Sequence, residues 1–231
     1  MTADRAEKVD DYLSALFVGE DPDLKHALET SGAAGLPPIA VSAVQGKLLY
    51  LLARMQGARR ILEIGTLGGY SAIWLARALP HDGALITLEI DPEHAEVASE
   101  NLAAAALGEL VTVELGPALQ TLDRLIASGA QPFDMFFIDA DKENNANYIR
   151  RALELSRPGT LIVLDNVVRD GAIIDPSNRD PMVAGTKRAL ELLAAEPRLE
   201  TTAHKPSGTR ATTVSPLLSC ASAAQIPATL R

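Results

Sequence analysis

Residues Ile61–Ser71, ILEIGTLGGYS, constrain the chain more than any other stretch. Ile61, Leu62 and Ile64 make an apolar run suited to a strand buried on both faces. Gly65, Gly68 and Gly69 then break the run before a helical pattern begins, and they allow backbone conformations and close approaches that a Cβ would block. In a doubly wound sheet the first strand-to-helix turn lies at the carboxyl edge, where the strand order reverses and nucleotide-like ligands sit. The G-x-x-G-G spacing is not the G-x-G-x-x-G of a pyrophosphate-binding turn. Glu63 instead places a negative charge just ahead of the turn, which suits a cationic cofactor.

Strand and helix patterns alternate along the chain. An amphipathic stripe of Val9, Tyr12, Leu13, Leu16 and Phe17 marks a helix from about Glu7 to Val18, which can cover the substrate side of the site or pack on a second subunit. Ser31–Pro38 reads as a turn-rich connection. Ser42 and Gln45 match a capping box opening a helix to about Met55. Beyond the glycine turn, helix is expected over Tyr70–Leu79, strand over Ala84–Ile90, helix from the Asp91–Pro92 start to about Leu107, and strand over Val111–Leu115. A helix containing Leu119, Leu122 and Leu125 follows. Phe133–Ala140 and Gly159–Asn166 read as further strands and Asp180–Ala195 as a helix. Leu199–Lys205 and Thr209–Ser215, joined by PSG, carry a hairpin signal. This rhythm predicts one α/β domain over residues 1–215, Rossmann-like and mostly parallel with a C-terminal antiparallel hairpin, and a loose tail over 216–231.

The chain has 231 residues, enough for one substantial core. Its net charge of −9 argues against broad contact with nucleic acid, which needs a positive face. No apolar run reaches the length of a membrane span, and MTADRAEKVDDYL lacks an apolar signal core, so a cytoplasmic protein without membrane contact is expected. The single cysteine, Cys220, has no neighbours of metal-ligand type and reads as chemically idle.

Glu63 and the glycine turn resemble the first motif of the class I methyltransferases, which implies S-adenosylmethionine as cofactor. Glu89 lies at the tip of the second strand, where a nucleotide-binding βαβ unit places an acid that binds ribose hydroxyls. The methyltransferase counterpart does the same work. The resemblance also implies cofactor contacts at Val41, Gly65, Ser71 and Asp139. It places the turn at Gly116 and Ala118 beside the adenine, although a purely structural turn fits those two residues as well.

Two strand ends carry the remaining chemistry: Asp139, Asp141 and Lys142 in IDADK, and Asp165 and Asn166 in LDN. Two carboxylates and an amide oxygen suit a hard divalent cation and leave coordination positions for water and substrate. With these motifs the chain resembles the cation-dependent O-methyltransferases, including the caffeoyl-coenzyme A and catechol enzymes, from about Leu36 to Ile174. The resemblance implies that Asp139, Asp165 and Asn166 hold Mg2+, or Ca2+ or Mn2+ in its place, and that Lys142 stands by the reacting hydroxyl. It also implies a homodimer. The expected substrate is a small hydroxylated aromatic that chelates the cation, with Lys142 as proton acceptor or, in a plainer role, as ion-pair partner of Asp141 or Glu143.

The chain departs from the family at Asn145, Val168 and Arg169, where aromatic residues often stand. Arg169 can meet an acidic acceptor or point into solvent. Other functional readings are a nicotinamide-dependent oxidoreductase on the same fold, a nucleic-acid methyltransferase, and a cofactor-binding module without catalysis.

Overall fold

A computed structural model describes residues 3–203 and 217–218. The elements are α1 (Ala3–Phe17), α2 (Pro22–Ala33), α3 (Ala43–Gln56), β1 (Arg60–Ile64), α4 (Tyr70–Ala78), β2 (Ala84–Glu89), α5 (Pro92–Ala104), β3 (Val111–Leu115), α6 (Ala118–Ala127), β4 (Phe133–Ile138), α7 (Asn145–Glu154), β5 (Ser156–Leu164), α8 (Pro181–Ala195), β6 (Glu200–Thr201) and β7 (Leu217–Leu218). A short 3-10 turn falls at Lys142–Asn144, and the segment Arg169–Ile174 is kinked by left-handed conformations at Asp170 and Gly171.

The strands form one sheet in the order β3-β2-β1-β4-β5-β7-β6. β1 pairs in parallel with β2 and β4, β2 with β3, and β4 with β5, whereas β7 runs antiparallel to β5 and β6. The order reverses between β1 and β4, so the crevice at the carboxyl ends of these strands is the ligand position of a doubly wound sheet. This is the expected fold class.

Alternate residues of the central strands feed two apolar layers. Ile61, Met135 and Phe137 pack toward α3, α4 and α5, whereas Leu62, Ile64, Phe136 and Ile138 pack toward α6, α7 and α8. Leu62 and Ile64 are fully buried, and each such side chain contributes about 1.5–3 kcal/mol. The layers make the central strands rigid supports for whatever their ends carry.

Several boundaries differ from the sequence reading. α2 is a full helix where the sequence showed only the turn-rich 31–38. Asp21 caps it by accepting from Leu24 N at 3.1 Å, Leu24 and Ala27 are buried, and Arg77 of α4 pairs with Asp21 and Asp23 at 2.6 Å each. α5 stops at Ala104 instead of Leu107 because Ala106 takes φ 56° and Leu107 N turns back to Leu102 O. α7 had no counterpart in the sequence reading. β5 begins three residues early, at Ser156. At the C-terminus, β6 is shorter than expected, and the expected strand 209–215 lies outside the described residues, as does Cys220. Leu217 and Leu218 pair with Ile162 and Leu161, so part of the stretch read as a tail joins the sheet.

α1 packs against α3 with Val9, Tyr12, Leu16 and Phe17 exposed. Its apolar stripe therefore faces away from this chain's core. No described helix is long and apolar enough to cross a membrane.

Candidate functional site

The ladder of the sheet continues past the strand ends and fixes the backbone of the site. Gly65 N donates to Leu88 O at 3.0 Å, Asp139 N to Ile64 O at 2.9 Å, and Asp165 N to Ile138 O at 3.0 Å. The glycine turn, IDADK and LDN thus meet at adjoining strand tips, as their positions in the sequence predict.

The turn after β1 reverses through left-handed conformations at Gly65 (φ 97°), Leu67 (φ 51°) and Gly69 (φ 81°). A Cβ on Gly65 would run into the Asp139 carbonyl, so glycine lets β1 and β4 close on each other here. Glu89 holds the turn from the tip of β2. Its Oε2 accepts from Thr66 N at 3.2 Å and Leu67 N at 2.8 Å, and its Oε1 accepts from Ile90 N at 2.8 Å and Asp91 N at 3.0 Å. The acid expected to read ribose hydroxyls is therefore also the brace of the turn. On the other side, Asn101 Nδ2 donates to Gly68 O at 2.9 Å, while Thr30 donates to Asn101 Oδ1 at 2.5 Å, tying the turn to α5 and α2.

Glu63 is fully buried, and its Oε2 accepts from Thr87 Oγ1 at 2.6 Å. Its Oε1 has no partner among the described residues. Burial pushes its carboxyl up to about 7, opposed by the hydroxyls of Ser71 and Thr87 and assisted by the charges of Asp139 and Glu89. Glu63 thus has no open face, and any influence on a cationic ligand acts through its charge. Ser71 is buried at the start of α4, and Val41 is half-buried just before α3. Gly116, at φ 135°, and Ala118 are half-buried at the end of β3, where Gly116 N donates to Glu89 O at 2.8 Å.

Asp139 follows β4 directly, and its Oδ1 lies 2.6 Å from Lys142 Nζ. Lys142 is only 4% exposed. The expected plainer partners are corrected by this geometry: Asp141 instead accepts from Asn144 Nδ2 at 2.6 Å and from the Tyr148 hydroxyl. Gly185 of α8 packs so closely on the backbone of Lys142 and Glu143 that a Cβ there would overlap both, which pins the lysine's segment. The sequence reading missed Gly185, although a glycine inside a helical pattern signals close packing.

Asp165 follows β5 and is 2% exposed. Burial and the neighbouring charge of Asp139 push its carboxyl upward. Its Oδ1 accepts from Asn166 N at 2.6 Å, and its Oδ2 accepts from Gln45 Nε2 at 2.8 Å. Asn166 takes φ 54°. Among the described residues no group of three or more His, Cys, Asp or Glu side chains is placed to hold a metal, so any cation here depends on the two carboxylates and the Asn166 amide. A buried Asp165 beside the half-buried Asp139, with one lysine at hand, fits a hard cation.

Beyond Asn166 the chain borders a cavity of about 500 Å3 lined in part by Arg169, Asp170, Asp175 and Val183. Arg169 is half-buried, with Nε buried and unpartnered among the described residues, so it does not simply extend into solvent. Asn145 is fully buried, and neither atom of its side-chain amide has a partner among them.

A family model described as O-methyltransferase matches residues 17–205. A catechol O-methyltransferase of Mycobacterium tuberculosis is 52% identical over 200 residues, covering 87% of this chain and 89% of the relative. One of Niastella koreensis is 50% identical over 196 residues, covering 85% and 89%. The crystal structure of an O-methyltransferase of tomaymycin synthesis from Streptomyces achromogenes, in complex with S-adenosylmethionine, superposes with a TM-score of 0.90 at 46% identity, covering 96% of this chain and 100% of that one. The strand order, the braced glycine turn and these matches leave no support for the nicotinamide reading, and the chain belongs to the O-methyltransferase family, the class I enzymes that use S-adenosylmethionine.

Proposed function

We propose that this protein is a divalent-cation-assisted O-methyltransferase whose acceptor is a small aromatic molecule with two neighbouring hydroxyls. The observation that carries the reading is the meeting of Asp139 and its ion-paired Lys142 with the buried Asp165 at adjoining strand ends. The names of the two catechol O-methyltransferase relatives support the acceptor class.

Asp139, Asp165 and Asn166 would hold the cation, with Mg2+ preferred and Ca2+ or Mn2+ as substitutes. The cation supplies a positive charge that favours the phenolate form of a chelating acceptor. Lys142 takes the hydroxyl proton at Nζ as the neutral amine, so its ammonium first gives a proton to solvent and leaves the ion pair with Asp139 for the acceptor. The glycine turn, braced by Glu89, would hold the cofactor beside the acceptor. Positioning then supplies much of the acceleration, because no covalent enzyme intermediate is needed. The exposed apolar face of α1 supports the homodimer expectation, and sedimentation velocity tests it.

The test is S-adenosylhomocysteine formation with a panel of catechols, with Mg2+ and with excess chelator. Product formation that stops on chelation and returns with Mg2+ is the expected result. Equal turnover in both conditions removes the cation from the reading; cofactor binding without turnover on any catechol removes the acceptor class.

A further inference from the structure

The first turn of α3 contains a contact that helix capping does not explain. Ser42 Oγ accepts from Gln45 N at 3.3 Å, the first half of a capping box. The second half would fold the Gln45 side chain back onto the Ser42 amide. Instead Gln45 Nε2 reaches Asp165 Oδ2 at 2.8 Å, joining residues 120 positions apart. The NH2 end of the amide is the end that faces the carboxylate oxygen. Gln45 Oε1 is left buried with no partner among the described residues. Burying such an acceptor unpaired costs about as much as a lost hydrogen bond, so stability alone does not account for glutamine here.

The helix is held at this height by its next residue. A Cβ on Gly46 would overlap the Trp74 ring, so glycine lets α3 lie directly on α4. Asp165 is then gripped at both oxygens, by its neighbour's backbone at Oδ1 and by Gln45 at Oδ2. The backbone grip is available to any side chain at 166. The Gln45 grip depends on one side chain from a distant helix.

We infer that Gln45 is a positioning residue for the cation site: it fixes the Asp165 carboxylate in the orientation that binds the metal, and through Asp165 it couples α3 to the end of β5. This rests on the preceding reading of Asp165 as a metal ligand. A ligating carboxylate that loses its hydrogen-bonding partner binds metal about 10–100-fold more weakly.

The test measures Mn2+ binding to the full chain by the loss of the free-ion electron paramagnetic resonance signal, alongside S-adenosylmethionine affinity by calorimetry. Four variants are compared: Gln45→Leu, Gln45→Met, Ser42→Ala and Asp165→Ala. Gln45→Met keeps an unbranched shape should the leucine variant fail to fold. Ser42→Ala removes the cap while leaving the contact to Asp165. The inference predicts Mn2+ affinity about 10–100-fold lower in the Gln45 variants, with cofactor affinity within threefold of the parent and Mn2+ affinity unchanged in Ser42→Ala. Parent-like Mn2+ binding in a folded Gln45 variant overturns it. An equal loss in Ser42→Ala also overturns it, by reducing the effect to helix stability. If the parent binds no more Mn2+ than Asp165→Ala, the metal reading itself fails and takes the inference with it.

Discussion

Lys142 Nζ lies 2.6 Å from Asp139 Oδ1 although the two residues are only three apart, because the 3-10 turn at Lys142–Asn144 folds the lysine back over the strand end it has just left. One carboxylate is thereby offered both to a fixed ammonium and to the crevice. Lys142→Met keeps most of the apolar stem and removes the proton-accepting nitrogen. Its kcat should fall about 10²–10⁴-fold while S-adenosylmethionine affinity stays within about threefold. Initial rates of S-adenosylhomocysteine release, with a cofactor titration, check this; a variant with near-parental kcat would remove Lys142 from proton transfer.

Glu63 should leave a mark on stability rather than on binding alone. Its carboxyl titrates near 7 in the fold because of burial, against an ordinary value of 4.5. Between those values the folded chain keeps a proton that the unfolded chain has released. The stabilisation from this group is therefore complete below about pH 4.5 and is lost as pH rises through about 7, on the order of 3 kcal/mol at most. Glu63→Gln should flatten this part of the profile. Urea midpoints of the cofactor-free, chelator-treated protein from pH 5 to pH 8 give the comparison, and parallel profiles for parent and variant would contradict the assignment.

Glu89 accepts four backbone amides, two of them from the glycine turn. Hydrogen bonds to a charged acceptor are worth about 1.5–3 kcal/mol each, and a partly buried amide left without an acceptor adds to the loss. Glu89→Ala should weaken S-adenosylmethionine by about 100-fold and lower the unfolding free energy by about 2 kcal/mol or more. Calorimetric titration and denaturant unfolding read the two effects. A loss of affinity with unchanged stability would mean that the turn stands without this brace.

Gly185 is not among the proposed ligands, yet it borders the backbone of Lys142 and Glu143. Gly185→Ala must push α8 or the lysine segment aside, at a cost of about 1–3 kcal/mol. A displacement near 1 Å at a reacting group costs about 100-fold in rate. The expected result is a large drop in kcat with cofactor affinity retained, measured by steady-state kinetics; parent-like kcat would show that the segment accommodates the methyl group elsewhere.

The parallel strands and the residues at their tips were legible because buried strands, glycine turns and terminal acids are local patterns. Ser42 and Asp91 were readable as caps for the same reason. What escaped depends on partners distant in the chain. α2 has a local start at Asp21 and Pro22, but its Ser31–Gly32 end resembles a loop and is kept helical through buried Leu24 and Ala27 and the Arg77 pairs. Gln45 carried a complete local explanation as a cap residue, which hid its link to Asp165. Lys142 had two acids beside it in sequence, Asp141 and Glu143, yet it pairs with Asp139, because of how the chain leaves β4.

Ile138 and Leu164 are register partners on neighbouring parallel strands, and Asp139 and Asp165 each come one residue later. Their backbone separation is therefore a rung of the sheet and cannot be altered by lengthening or reshaping a loop. Arg169 and its neighbours lie beyond that rung on a kinked segment outside the sheet ladder. Substitution and insertion can accumulate there without retuning the spacing of the acids, much as the bit of a drill can be exchanged while the chuck stays the same.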